Sequence, residues 1–316
     1  MSLSNHFDAA AERHKDSPLD AAGLNSPTPR TQIQQLVVLT AILIACFAKP
    51  LYALVQFALH SDLFSHILLI PFICGYLVWL DKRSLPAPSK PSRALALIPA
   101  FAGAVVLSLC WIGSAIGLPV VKHDNLTWTA LSFVLFFEAA CCFTLGPRTL
   151  RAIQFPLMLL PFAVPFPGFV IEAIEGGLQR ASAIGADWFF TIAGMAFVRD
   201  GLFFQLPGIR LQVAPECSGI HSSLVLFITS LVAGKLFLRR LSNRALLALA
   251  VIPLGILRNA FRILTIGELC VHVGPEMIDS PIHRRGGPLF FAISLIPLLL
   301  LIWYGRRSEL RSRINK

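Results

Sequence analysis

Long apolar runs alternate with short basic breaks over most of the chain. Apolar residues fill Ile33 to Phe47, Ile67 to Leu80, Ala94 to Ile116, Leu126 to Leu145, Ser218 to Leu238, Ala245 to Ile266 and Leu289 to Tyr304. Runs of this length with few charges predict membrane-spanning helices. One further run, Ala152 to Pro165, is broken by Pro156, Pro161 and Pro165 and is followed by Pro167. It reads as a weak span, with a kinked or re-entrant segment as the alternative. Lys49 to Ser65 is a short segment between the first two spans, compatible with a helix. The fold class that follows is an all-α polytopic membrane protein with about eight transmembrane helices.

Two stretches break this pattern. In Phe169 to Met195, Glu172, Glu175, Gln179, Ser182 and Asp187 fall on one side of a helix, and Ile171, Ile174, Leu178, Ala181, Trp188 and Phe189 fill much of the rest. That amphipathic pattern predicts an interfacial helix at the outer face rather than a span. Next, Ile209, Leu211 and Val213 alternate with Arg210 and Gln212, and Pro207-Gly208 separates them from Leu202 to Leu206. This predicts a small β-hairpin that delivers the chain to Cys217.

Composition agrees with a membrane class: 55% of the 316 residues are hydrophobic and 14% charged, and mean hydropathy is +0.70. The net charge of +10 reports cytoplasmic loops here, so no nucleic-acid partner is implied. Lys82, Arg83, Lys90 and Arg93 share one loop, Arg148 and Arg151 another, Arg239, Arg240 and Arg244 a third, and Arg306, Arg307, Arg311, Arg313 and Lys316 the tail. With eight spans, these clusters lie on the side of the N-terminus, which the positive-inside rule makes the cytoplasm. Residues 1–31 read as a disordered cytoplasmic tail, 32–305 as the transmembrane domain and 306–316 as a basic cytoplasmic tail. No internal repeat of the transporter kind is visible.

Of the seven cysteines, Cys217 stands out. It sits where a polar segment ends and an apolar run begins, after Pro215 and before Ser218-Gly219. A thiol at a helix entrance faces unsatisfied backbone N–H groups and the positive end of the helix dipole, and both favour the thiolate. A disulfide from Cys217 to Cys270 is the alternative that would quench it. No CxxC or Cys/His cluster suggests zinc, and neither metal nor cofactor is expected. Under the predicted topology Cys217, Arg258, Arg262 and His283 reach the same outer level. Arg258 and Arg262 are spaced i, i+4 and share a helix face; snorkelling at a helix end is the alternative. A nucleophilic sulfur, a proton-handling imidazole and a fixed cation form a workable acyl-transfer set.

The chain resembles the exosortase/archaeosortase family of integral membrane cysteine transpeptidases, over roughly residues 33 to 305. Asp62-Leu63-Phe64-Ser65-His66 with Pro71 is similar to its Ser-His segment, and Met158-Leu159-Leu160-Pro161 with Pro165 and Pro167 to its proline-rich fifth segment. Cys217-Ser218-Gly219-Ile220 is similar to its nucleophile motif, Asn259-Ala260-Phe261-Arg262-Ile263 to its Asn-x-x-Arg-Ile segment, and His283-Arg284-Arg285-Gly286 to its late His-x-x-Gly. Each motif is short; their order within one frame carries the resemblance. Glu216 before the cysteine and Arg284-Arg285 after the histidine depart from the family's common residues and leave the subfamily open.

The resemblance implies Cys217 as nucleophile, Arg262 as the stabilising cation and His283 as the third catalytic residue. His221, i, i+4 from Cys217, is the competing base. Glu216, Ser218, His221, Arg258 and Asn259 are candidates for substrate contact, and Asp62, Ser65 and His66 for support behind them. The implied partners are secreted proteins with a C-terminal signal made of a Pro-Glu-Pro-type motif, a transmembrane helix and a basic cluster. Membrane lipids are a candidate acyl acceptor. The implied location is the bacterial inner membrane, with both termini cytoplasmic and the site at the outer face. A purely hydrolytic membrane cysteine peptidase, a small-solute transporter and an assembly scaffold remain as alternatives.

Overall fold

A computed structural model describes residues 29–61, 63–86, 92–118, 124–213, 218–280 and 287–314. Most of the expected N-terminal tail thus lies outside the described residues, which hold ten α-helices and one three-stranded sheet. The helices are α1 Pro29–Cys46, α2 Ala48–His60, α3 Leu69–Asp81, α4 Arg93–Ala115, α5 Asn125–Ala152, α6 Gln154–Leu159, α7 Gly168–Ile192, α8 Ile220–Phe237, α9 Leu241–His272 and α10 Gly287–Ile314. The strands are β1 Val198–Asp200, β2 Phe203–Leu206 and β3 Ile209–Gln212.

Five helices are long and apolar enough to cross a bilayer: α4, α5, α8, α9 and α10. Two sharply bent helix pairs raise the number to 7, and Ser65–Asp81 is a shorter apolar helix. Protein covers only 17% of the apolar window of α4 and 22% of that of α10, so their remaining apolar surface needs lipid. The protein is a multi-pass membrane protein. Predicted and observed ends of the spans agree closely, apart from α9, which runs well past the predicted Ile266, and α10, which runs through the basic tail.

The chain forms two compact units. One takes the chain up to Tyr52, Phe72–Ile116 and Trp128–Pro161; the other takes Ala53–Pro71, Gly117–Thr127 and the chain from Phe162 onward. In the first unit α5 is broken at Gly146, with φ 71° and ψ 166°. Glycine adopts that conformation without steric cost, and Pro147 follows it. Beyond the break Leu150 and Ile153 pack on Cys141 and Leu145, with Leu157 against the same cluster. A straight helix would hold Cys141 and Leu157 about 24 Å apart; the kink at Gly146 lets residues on both sides of it share one cluster. α6 and the following 3₁₀ turn Leu160–Ala163 form the predicted proline-broken segment.

In the second unit α9 is the central post, packed against α7, α8 and α10. Close approach depends on small residues. A Cβ on Gly185 of α7 would meet Ala260 Cβ at 2.9 Å, and one on Gly255 of α9 would meet Ser223 Oγ at 2.7 Å. One core joins Ala183, Ala186 and Phe190 of α7, the sheet residues Phe204, Leu206 and Leu211 with Val213, and Ala260, Ile263 and Ile266 of α9. A second joins Leu226 of α8, Leu247 and Val251 of α9, and Leu298 and Ile302 of α10.

The amphipathic stretch is helical as predicted, but its buried side packs along α9 in addition to any contact with the membrane surface. The hairpin pairs antiparallel in the register Phe204↔Leu211 and Leu206↔Ile209, with the Pro207-Gly208 turn closed by Gly208 at φ 79°. The sequence reading missed β1, which is held by Arg199 Nη1 donating to Asp187 Oδ2 at 3.0 Å. The α8–α9 corner explains the extra length of α10. Buried Glu309 accepts the backbone N–H groups of Arg239 and Arg240, each at 2.9 Å, and Asn243 Nδ2 at 2.8 Å. It thereby serves donors at the start of α9 that have no carbonyl within the helix.

The α7–α9 contact has a direct test. Gly185→Val should force α7 away from Ala260 and cost roughly 1–3 kcal/mol, read as a lower unfolding midpoint in detergent; Gly176→Val on the same helix, where an added Cβ meets nothing within 4 Å, should leave the midpoint close to wild type.

Candidate functional site

The site is built where the sheet feeds α8. Val213, after β3, is buried in the core beneath the sheet, and its carbonyl accepts a hydrogen bond from Gln179 Nε2 of α7. Residues 214–217, with the candidates Glu216 and Cys217, lie outside the described residues. The chain resumes at buried Ser218, whose hydroxyl donates to Glu175 Oε1 at 3.5 Å and accepts Ile220 N at 3.4 Å. Gln179 and Glu175 are one turn apart on α7. The chain is therefore tied to one face of α7 both before and after the cysteine segment.

Gly219 is the N-cap of α8, with φ 71° and ψ 18°. The sequence reading started this helix at Ser218. The left-handed backbone of Gly219 stops a right-handed helix from extending back through it. The described part of α8 thus begins after Gly219, with His221 in its first turn.

The carbonyl of Gly219 is heavily used. It accepts Ser223 N at 3.0 Å, Ser222 Oγ at 3.1 Å and Arg258 Nη2 at 3.2 Å. Arg258 Nη2 also donates to Ser223 Oγ at 3.2 Å. Arg258 is only 8% exposed, and its Nη1 is buried without a hydrogen-bond partner among the described residues. The structure thus gives this arginine a specific position: it clamps the first turn of α8. Snorkelling at a helix end does not describe it. A side chain at Gly219 would clash as well as strain, since a Cβ there would lie 2.9 Å from Arg258 Nη2 and 3.3 Å from Asn259 Cγ and Oδ1.

Asn259 is 2% exposed and lies close against Gly219. Arg262, one turn beyond Arg258, is half-buried, and the two guanidinium groups are within electrostatic reach of each other. A helix N-terminus with two arginines beside it is a locus of positive potential, suited to a thiolate or an oxyanion.

Of the proposed supporting residues, His66 is buried. Its Nδ1 bonds Leu63 O at 3.1 Å, and it lies within electrostatic reach of His221. Ser65 opens the same 3₁₀ turn, Ser65–Leu68. Asp62 and His283 lie outside the described residues. Cys270 is a free, buried thiol, so the alternative disulfide is not formed.

Sequence reasoning missed Glu175, Gln179 and Ser223 as parts of this site. The first two were legible as a polar stripe on α7, but the stripe alone does not name what it faces. It also missed an apolar cavity of about 230 Å³ beside Ser223, walled by Ile171, Ile174 and Leu178 of α7, Ile220 and Phe227 of α8, and Val251 of α9.

Gly219→Ala should combine left-handed backbone strain of about 1–2 kcal/mol with displacement of Arg258. Hydrogen exchange should then show lost protection at the Ser223 amide, with exchange in α10 unchanged.

A family profile described as transmembrane exosortase matches residues 56–300. No curated protein and no solved structure gives a match. The profile covers well over half of the chain and runs through α8, α9 and the segments between them, so the chain belongs to the transmembrane exosortase family.

Proposed function

We propose that the protein is a membrane-embedded cysteine transpeptidase. It cleaves the C-terminal sorting signal of secreted proteins at the outer face of the inner membrane. The observation that carries this reading is the positive locus at the start of α8, immediately after Cys217, with Arg258 clamped on Gly219 O and Arg262 one turn along the same helix.

In this mechanism the substrate's transmembrane helix docks in the membrane and its basic tail stays on the cytoplasmic side. The Cys217 thiolate attacks the scissile carbonyl, and Arg262 stabilises the oxyanion. His283 donates a proton to the nitrogen as the C–N bond breaks, releasing an amine and leaving an acyl-thioester. A nucleophile then adds to the thioester, its proton passes to a base, and the sulfur leaves as thiolate. An amine acceptor, such as a lipid amine, gives transfer; water gives hydrolysis. The apolar cavity beside Ser223, at the first turns of α8, supports the docking of an apolar segment there. Arg258 acts through the position of the α8 turn and is a positioning residue.

The test is co-expression with a secreted protein carrying a Pro-Glu-Pro-type signal. Cys217→Ala and Arg262→Ala should each abolish processing while the protein remains in the membrane fraction. His283→Ala should lower it by roughly 10²–10⁴-fold. Mass spectrometry of the new C-terminus separates an acceptor adduct from a free carboxylate. Undiminished processing by Cys217→Ala would remove the nucleophile and return the protein to a scaffold role.

A further inference from the structure

The first unit holds an intramembrane carboxylate that the transpeptidase reading does not use. Glu138 lies in α5 and lines a cavity of about 390 Å³ with Cys142 and Arg151 of α5, Pro99 of α4, and Gln154 and Leu157 of α6. On a straight helix Glu138 and Arg151 would lie about 20 Å apart. The kink at Gly146 brings them to one cavity. An ionisable residue inside a span is costly and commonly functional.

Among the described residues neither Glu138 nor Arg151 has a hydrogen-bond or ion-pair partner, and they do not pair with each other. The cavity is open at its side. Leu95 and Met158, which also line it, are 45% and 64% exposed on helices of apolar composition. Exposed apolar side chains at its mouth suit a hydrocarbon chain.

A half-buried acid and an exposed base lining one cavity with apolar residues are complementary to a zwitterion with an apolar tail. A carboxylate accepts N–H bonds from a primary ammonium, and a guanidinium donates two parallel bonds to a phosphate. A lysine on a membrane-spanning peptide would satisfy Glu138 and leave Arg151 unmatched. An anionic lipid would satisfy Arg151 and set its own charge against Glu138. We propose that this cavity binds the head group of a zwitterionic phospholipid with a primary ammonium, with phosphate on Arg151, ammonium on Glu138 and hydrocarbon over Leu95 and Met158. The proposal is independent of the chemistry assigned to Cys217.

The experiment uses the full chain purified in mild detergent, titrated with phosphatidylethanolamine, phosphatidylcholine or phosphatidylglycerol and read by native mass spectrometry and thermal shift. Phosphatidylethanolamine should be retained most strongly and raise the unfolding midpoint most. Phosphatidylcholine keeps the phosphate but has no ammonium N–H, so it should bind less. Glu138→Gln should weaken phosphatidylethanolamine roughly tenfold, toward the phosphatidylcholine value, and Arg151→Gln should weaken both. Leu157→Trp fills the cavity with both charges intact and should displace the lipid, so the site stays testable if a charge variant fails to fold. Equal retention of phosphatidylethanolamine by wild type, Glu138→Gln and Leu157→Trp would overturn the proposal. So would a preference for phosphatidylglycerol that survives Glu138→Gln. A photo-crosslinker at Met158 that captures a co-expressed sorting-signal peptide instead of lipid would also overturn it.

Discussion

The second unit depends on one buried cation. A guanidinium in a membrane helix is unfavourable by roughly 2.5–3.5 kcal/mol on insertion scales. Arg258 is held there by donating from Nη2 to Gly219 O and Ser223 Oγ. That geometry exists only because α8 and α9 approach closely, and they approach closely because Gly255 leaves room for the Ser223 hydroxyl. Gly219 must lack a side chain to admit the guanidinium and must adopt a left-handed backbone to start the helix there. Arginine, serine and two glycines are thus fitted to one another.

The same constraint explains why a soluble-looking device, a three-stranded sheet, sits in a membrane protein. β3 leads directly toward the start of α8, and its buried residues Leu211 and Val213 share a core with Phe190 of α7 and Ile263 of α9. The sheet is anchored to α7 and to α9, the helix that carries Arg258. With Val213 O held by Gln179 and Ser218 by Glu175, the ends of the cysteine segment are fixed from α7 as well. α7 is therefore a wall of the site, and its polar stripe has a use that an interfacial helix alone would not give it.

Much of this was legible in the sequence because lipid is a demanding solvent. Span ends follow from where apolar runs meet Asp81, Arg93 or Arg239, and they agree with the helices found. The Pro207-Gly208 hairpin was legible because alternation and turn chemistry coincide. What was not legible depends on pairings across the chain. The kink at Gly146 gathers Cys141, Leu145, Leu150 and Ile153 into one cluster, which periodicity cannot show. The three-residue β1 is too short to carry a pattern. The tail after Tyr304 looks like a solvated basic end, and only Glu309, reaching back to the N–H groups of Arg239 and Arg240, makes it a helix worth forming. Arg258 and Arg262 looked equivalent by spacing; tertiary contact separates the clamp from its half-buried neighbour.

That separation bears on how positive potential is kept available. Among the described residues Glu175 reaches the start of α8 through Ser218, and a direct pair with Arg258 would cancel the charge that a thiolate needs. Its contact among the described residues is instead with the Ser218 hydroxyl at 3.5 Å, while Arg258 is committed to a carbonyl and a hydroxyl, both neutral acceptors. Hydrogen bonds to neutral acceptors hold the guanidinium in place without neutralising it. The α8 N-terminus adds its own unsatisfied N–H groups, and Arg262 adds a second cation within electrostatic reach. Two like charges and a helix dipole pointing to one place would repel one another in an apolar surround unless an anion completes them. The anion that the proposed chemistry provides is the sulfur before attack and the oxyanion after it, so the cost of gathering these cations is offset most fully in the reacting state.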